Sequence, residues 1–216
     1  MSGLFVPGWG ATPGLYSAGL PKGWVALELP SFRRTGGDFG AYCRWLVDEI
    51  ARRPTPIVLA GHSMGGTLAA LAAAEQPELV EQVILLSPAG LPIAKPMQAS
   101  VRAFTRQVLR GCYPAGELGR MVMAAAAAPR SALKLARTVH GLDLEHELER
   151  IRASGVPCTV VACASDELTT PTHCRTLAAA LGADYRELHA AEGHIWPVTQ
   201  PELVARELRA ATMSRS

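Results

Sequence analysis

The sequence predicts an α/β protein, a mostly parallel sheet flanked by helices, and two observations carry that prediction. Short apolar, β-rich runs alternate along the chain with segments of helical periodicity, the pattern left by parallel strands joined through crossover helices. One of these runs passes at once into a glycine-rich turn, Gly61-His62-Ser63-Met64-Gly65-Gly66, and then into a helix of small residues. The 216 residues suit one domain, because single α/β domains often reach about 200–250 residues.

Taken in order, residues 4–6 read as a short strand ending in Pro7-Gly8-Trp9-Gly10, and 24–29 as a second strand. Asp38 is placed to cap a helix, with Phe39, Cys43, Leu46 and Ile50 following at helical spacing. Residues 56–60 form a buried strand, and the alanine- and leucine-rich run to Gln76 is a helix with Pro77 just beyond its end. Further strands fall at 83–86, 156–164 and 185–189. Pro171 opens a helix carrying Cys174, Leu177, Ala178 and Leu181. Pro201 opens the last helix, at a first-turn position where its missing N–H costs nothing, with Val204 and Leu208 facing inward.

The alternation breaks once. Between 91 and 144 no strand is predicted, only helical stretches at 99–110, 118–127 and 131–139. The expected organisation is therefore a core of residues 1–90 and 145–216 with 91–144 inserted as a helical lid. Such an insertion lies over the carboxyl ends of the strands, where open α/β sheets bind their ligands.

Composition narrows the function. A net charge of +2 argues against a general nucleic-acid binder, which needs a strong basic excess. No apolar stretch approaches the roughly 20 residues of a membrane span, and residues 1–7 lack the basic start and apolar run of a secretory signal. The five cysteines, Cys43, Cys112, Cys158, Cys163 and Cys174, are odd in number and include no C-x-x-C pair. They read as buried thiols in a reducing cytoplasm, neither a disulfide frame nor a metal site. No metal or redox cofactor is expected.

Gly61-His62-Ser63-Met64-Gly65 fits G-x-S-x-G, with a buried strand before it and a small-residue helix after it. A sharp strand-to-helix turn exposes the Ser63 hydroxyl beside a helix N-terminus, where free N–H groups and the helix dipole favour developing negative charge. A phosphate-binding loop is the competing reading, but the turn has neither G-K-[ST] nor G-x-G-x-x-G. A nucleophilic serine needs a base, and the base an orienting carboxylate, in chain order Ser, acid, His. His194 lies in the loop after the last strand and is the expected base; His173 reads as a surface residue and His189 as structural. Asp166 directly follows the 156–164 strand and is the expected acid, with Glu167 its rival and Asp143 and Asp184 solvated loop charges. The oxyanion donors are expected at the backbone N–H groups of Met64 and Trp9.

On these residues the chain resembles the α/β-hydrolase superfamily, and within it the compact esterases related to pimeloyl-acyl-carrier-protein methyl ester esterases. The resemblance is carried by Pro7-Gly8-Trp9-Gly10, Leu29-Pro30, Gly61 to Gly66, Ala164-Ser165-Asp166-Glu167-Leu168 and Gly193-His194. It implies cleavage of a small-molecule ester or thioester through an acyl-enzyme. The same triad serves an acyltransferase or lactonase, and the fold also serves non-catalytic binding proteins. Against that resemblance, the two strands that usually open the fold are expected to be missing, Pro7 stands where relatives usually have His, and the insertion is short.

Charge is unevenly spread. Eight basic and two acidic residues fall within 91–144, a net +6 that leaves −4 for the rest of the +2 chain. Arg102, Arg106 and Arg110 recur every four residues and share one helix face. A solvated face is the plainest reading. The functional one is recognition of an anionic or carrier-bound partner, with Arg102 and Arg106 at the substrate. Trp9 and Trp196 are expected at the substrate as well. Met97, Phe104, Leu109, Met121 and Met123 read as core, although methionines also suit an adaptable acyl site.

Overall fold

The computed structural model describes residues 3–53, 55–110 and 113–213, so Cys112 lies outside the described residues. Six strands, β1 (Gly3–Val6), β2 (Trp24–Ala26), β3 (Ile57–His62), β4 (Val80–Leu86), β5 (Cys158–Cys163) and β6 (Asp184–Leu188), form one sheet in the order β2-β1-β3-β4-β5-β6. Every neighbouring pair is parallel. The helices are α1 (Phe32–Thr35), α2 (Phe39–Ala51), α3 (Met64–Glu75), α4 (Met97–Arg110), α5 (Ala115–Ala127), α6 (Pro129–His140), α7 (Glu145–Ala153), α8 (Pro171–Leu181), α9 (Trp196–Thr199) and α10 (Pro201–Met213).

Both faces of the sheet are covered, which explains why its strands are apolar throughout. Alternate residues feed two separate cores. Leu4, Leu59, Leu85 and Val160 point toward α2, α3, α7 and α8, while Phe5, Val58, Ile84 and Val161 point toward α10 and the turn carrying Leu15 and Tyr16. Helix α3 packs against strands and helices at once, so ten of its twelve residues are buried. Its glycines and alanines permit that close approach, and each fully buried leucine in it contributes roughly 1.5–3 kcal/mol.

Local chemistry sets several boundaries. Asp38 caps α2 by accepting from the Gly40 and Ala41 amides. Strand β2 stops at Ala26, short of residue 29: it is an edge strand, and after Leu27 donates to the Phe5 carbonyl at 2.8 Å the chain turns away toward Pro30. Strand β5 begins at Cys158 because Pro157 has no N–H to offer, although its carbonyl still accepts from Val83 at 2.9 Å. Helix α7 has no counterpart in the sequence-based expectation. Most of its nine residues are charged, and it buries only Leu148 and Ile151.

The strand order reverses between β1 and β3, and there the carboxyl ends of the two strands lie side by side, with Val6 opposite Gly61. The loop after β1 is thereby set beside the turn after β3. Crevices at such reversals are where parallel sheets bind ligands.

Candidate active site

The turn after β3 is shaped by what cannot fit. A Cβ on Gly61 would lie 2.3 Å from the Gly65 carbonyl oxygen, and one on Gly65 only 2.0 Å from that of Val6. Both obstacles are backbone and cannot yield. Between them Ser63 holds φ 53° and ψ −121°, a conformation costing about 1–3 kcal/mol that persists only where the surroundings over-determine it. Here Ser63 N–H donates to the Leu86 carbonyl at 3.0 Å, and α3 starts at the next residue. The Met64 amide thus belongs to the first turn of a helix, where N–H groups have no intrahelical partner.

Two loops bring partners to Ser63. His194, in the loop after β6, places Nε2 2.9 Å from Ser63 Oγ and Nδ1 2.9 Å from Asp166 Oδ2. With Nδ1 donating to the carboxylate, Nε2 is left to accept the serine proton. Asp166 is fixed in the turn after β5: its Oδ1 accepts from the Leu168 and Thr169 amides at 2.8 and 3.0 Å, and the Thr169 hydroxyl lies 2.9 Å from Oδ2. Burial opposes ionisation of this carboxyl, but the His194 charge and these hydrogen bonds together hold it below the usual carboxylate range.

A second network, which the sequence reading did not anticipate, backs the first. His62 is buried, with Nε2 2.9 Å from the His194 backbone carbonyl and Nδ1 2.9 Å from the Tyr16 hydroxyl. A carbonyl only accepts, so His62 carries its proton on Nε2, and Nδ1 accepts from Tyr16. The Tyr16 oxygen accepts in turn from Gly8 N–H at 3.3 Å. Burial, and then the like charge of His194, pushes the His62 imidazole down to about 3. Burial drives the Tyr16 hydroxyl far up, keeping it a donor. One neutral histidine thus ties the loop after β1 to the loop carrying His194. Its only signal in the sequence is a polar side chain ending an otherwise apolar strand.

The remaining expected residues are distributed unequally. Trp9 is half-buried beside the site, with its indole N–H donating to the Ala132 carbonyl at 3.1 Å and its ring against Phe32. Trp196 does not line the cavity beside Ser63. It is fully buried in the core under α10, and its indole N–H donates to Ser87 Oγ at 3.1 Å. Arg102 and Arg106 do not reach the cavity either, because the face of α4 that carries them is exposed. Arg106 and Lys95 lie 4.0 and 3.7 Å from Glu167, which is itself turned to solvent. His173 is more enclosed than a surface residue: its Nε2 is buried with no hydrogen-bond partner, and burial lowers its pKa. His189 is 82% exposed, with only a 4.0 Å contact to Glu187, and holds nothing together. Of the apolar residues expected in the core, Met121 is buried, Met97 and Phe104 line the cavity, and Leu109 and Met123 are exposed. Another unanticipated residue is Gln107 on α4, which accepts from His194 N–H at 2.7 Å.

Ser63 and His194 open onto a cavity of about 240 Å³ whose walls are largely apolar, drawn from the loop after β1, α4, α6 and the His194 loop. Its size falls just below the range of about 300–1,000 Å³ usual for drug-sized ligands, so it suits a small molecule. Among the described residues no cluster of three or more His, Cys, Asp or Glu side chains converges to hold a metal ion, and no helix is long and apolar enough to cross a membrane.

Monoglyceride lipase of Rattus norvegicus is 37% identical over 95 residues, 41% of this chain and 31% of the lipase. The Mus musculus enzyme is 40% identical over 67 residues, 31% of this chain and 22% of its own length. These matches therefore span less than a third of the relatives they reach. Among solved structures, a hydrolase from Oleispira antarctica superposes with a TM-score of 0.76 at 15% identity, covering 98% of this chain and 90% of that one. The enol-lactonase of Burkholderia xenovorans gives 0.72 at 18% identity, covering 98% and 91%. A membrane phospholipase A, described as a bacterial virulence factor, gives 0.72 at 21%, covering 99% and 78%. At these identities the structures share the fold. The alpha/beta hydrolase family model matches residues 4–207, and with six parallel strands and the serine turn at the strand-order reversal, this chain belongs to the alpha/beta hydrolase family.

Proposed function

We propose that the protein is a serine hydrolase cleaving a small carboxylic ester or thioester through an acyl-enzyme, with residues 91–144 acting as a lid. The observation that carries this is the hydrogen-bonded chain Ser63 Oγ, His194 Nε2, His194 Nδ1, Asp166 Oδ2, each link 2.9 Å long. Ser63 attacks the substrate carbonyl carbon while His194 Nε2 takes its proton. The oxyanion that forms is held by the backbone N–H groups of Trp9 and Met64. Collapse breaks the bond to the leaving alcohol or thiol, which receives the proton from His194. Water then enters by the same route, frees the acid and restores the serine. Asp166 orients His194 and stabilises its charged form throughout. The monoglyceride lipase matches and the resemblance to compact methyl ester esterases both favour an ester. An anionic or carrier-bound group would remain outside the cavity, beside Arg102 and Arg106.

The test is hydrolysis of a p-nitrophenyl ester series by wild type and Ser63→Ala, with fluorophosphonate labelling of both. The expected result is that labelling disappears and kcat falls at least about a thousandfold in the variant. Turnover that survives Ser63→Ala would overturn the reading.

A further inference from the structure

Helices α4 and α6 meet over the cavity at one polar contact: Ser100 Oγ lies 3.2 Å from His140 Nε2, and both residues line the space above Ser63. Ser100 is 5% exposed, an unusual place for a hydroxyl in a wall otherwise made by residues such as Ile93, Met97, Phe104 and Val139. Most other polar side chains in the lining are engaged elsewhere. Tyr16 and His62 bond each other and backbone groups, Thr169 bonds Asp166, and Ser63 bonds His194. The Ser100–His140 contact uses one site on each partner. A hydroxyl offers one donor and two acceptor sites, and an imidazole has two ring nitrogens, so the pair keeps capacity for a ligand.

No lysine, arginine, aspartate or glutamate contributes to the lining. A buried carboxylate or phosphate in the cavity would have no cation to offset its desolvation. Tyr113, also in the wall, stays neutral, because burial and the Glu117 charge push its hydroxyl up to about 12.

We propose that Ser100 and His140 form a polar anchor selecting small neutral esters that carry a second hydrogen-bonding group, a hydroxyl or carbonyl, across an apolar spacer from the scissile bond. The inference rests on the hydrolase reading of the same site and names its substrate class. A plain alkyl ester leaves the pair bonded only to itself. A hydroxylated one gains a hydrogen bond, and the discrimination expected from one net bond is about tenfold.

The experiment compares kcat/KM for isosteric pairs in chain-length series: p-nitrophenyl ω-hydroxyalkanoates against the methyl-ended alkanoates, and ω-hydroxyalkyl butanoates against alkyl butanoates. Wild type is expected to favour the hydroxylated member by about tenfold at one length in one series. Ser100→Ala is expected to collapse that ratio to within about twofold, with His140→Gln, which keeps a hydrogen-bonding side chain, retaining part of it. A wild-type ratio near one at every length overturns the proposal, as does a ratio unchanged by Ser100→Ala and His140→Phe. Fluorophosphonate labelling and a thermal melt accompany each variant. Labelled, active wild type without the preference refutes the anchor and leaves the hydrolase reading intact, whereas folded wild type that is neither labelled nor active refutes both.

Discussion

Helix α3 buries ten of its twelve residues, while α4 buries three of fourteen and α5 only Met121. Among the described residues, most of the exposed large hydrophobic side chains, Val101, Leu109, Val122, Met123 and Leu133, belong to α4–α6. The sheet with its flanking helices is enclosed by its own atoms, so positions such as Gly61 and Gly65 tolerate no added carbon. The helical segment is enclosed less completely: α6 alone sends Ala132, Leu135 and Val139 into the main core, and polar contacts such as Trp9 to Ala132, Gln107 to His194, and Lys95 and Arg106 to Glu167 tie the rest down. In the proposed mechanism the reacting groups need fixed geometry, and Ser63, Asp166 and His194 all sit on the first region. Recognition, in that proposal, would draw on the second, whose sparser buried contacts also make it the cheaper part to open.

Glycine substitutions would break this comparison most directly. Gly65→Ala drives a methyl group into the Val6 carbonyl and is expected to cost more than about 3 kcal/mol. Gly119→Ala in α5, where nothing lies within 4 Å of the added carbon, is expected to stabilise by about 0.5–1 kcal/mol through helix propensity. Urea midpoints decide the matter, and losses of similar size at both positions would show that the two regions are equally constrained.

Acid sharpens it next, because buried titratable groups concentrate near the sheet. His62 sits at about 3 in the folded chain and near 6.5 when unfolded. Between those values the unfolded state binds a proton that the folded state refuses. Stability from this group is therefore complete above about pH 6.5 and falls by about 1.4 kcal/mol per unit below it. Asp166 acts in the same direction at lower pH: its depressed carboxyl stabilises the fold above about pH 3.9, and that contribution is lost as pH falls through its folded value. Urea titrations at pH 7 and pH 5 should show wild type losing about 2 kcal/mol more than His62→Phe. Equal losses would mean that His62 is not held neutral. The same variant frees the His194 carbonyl and the Tyr16 hydroxyl, so kcat for ester hydrolysis should fall about tenfold at pH 8 with KM little changed.

The smallest effect is expected where the regions touch. Gln107→Leu removes the acceptor of the His194 amide and should lower kcat about threefold to tenfold, with less than about 1 kcal/mol of stability lost. A change confined to KM would place Gln107 in substrate binding rather than in holding the histidine loop.

Legibility in the sequence followed the range of the forces involved. The serine turn could be read because G-x-S-x-G records clashes between residues four apart in one short segment. Asp166 and His194 stood out because parallel strands deliver their following loops to one end of the sheet. Tyr16 and His62 did not, since their contact joins a turn and a strand 46 residues apart and neither side chain announces its partner. Trp196 shows the reverse error. A tryptophan two residues after His194 suggests a pocket wall, yet Ser87 and the α10 core draw the ring inward. His173 misled in the same way, because helical spacing does not reveal how deeply a face is covered.

By itself the sequence determined the parallel sheet, most of its crossover helices, the glycines of the turn and the strandless stretch before α7, because hydrophobic period and backbone sterics act within a few residues. Only the tertiary structure decided which way each face turns: that the arginines of α4 look outward, that Ser100 meets His140 above the serine, and that His62 ties two distant loops. Those outcomes depend on packing between segments far apart in the chain, where burial and unshared hydrogen-bonding groups choose among orientations that local periodicity leaves equal.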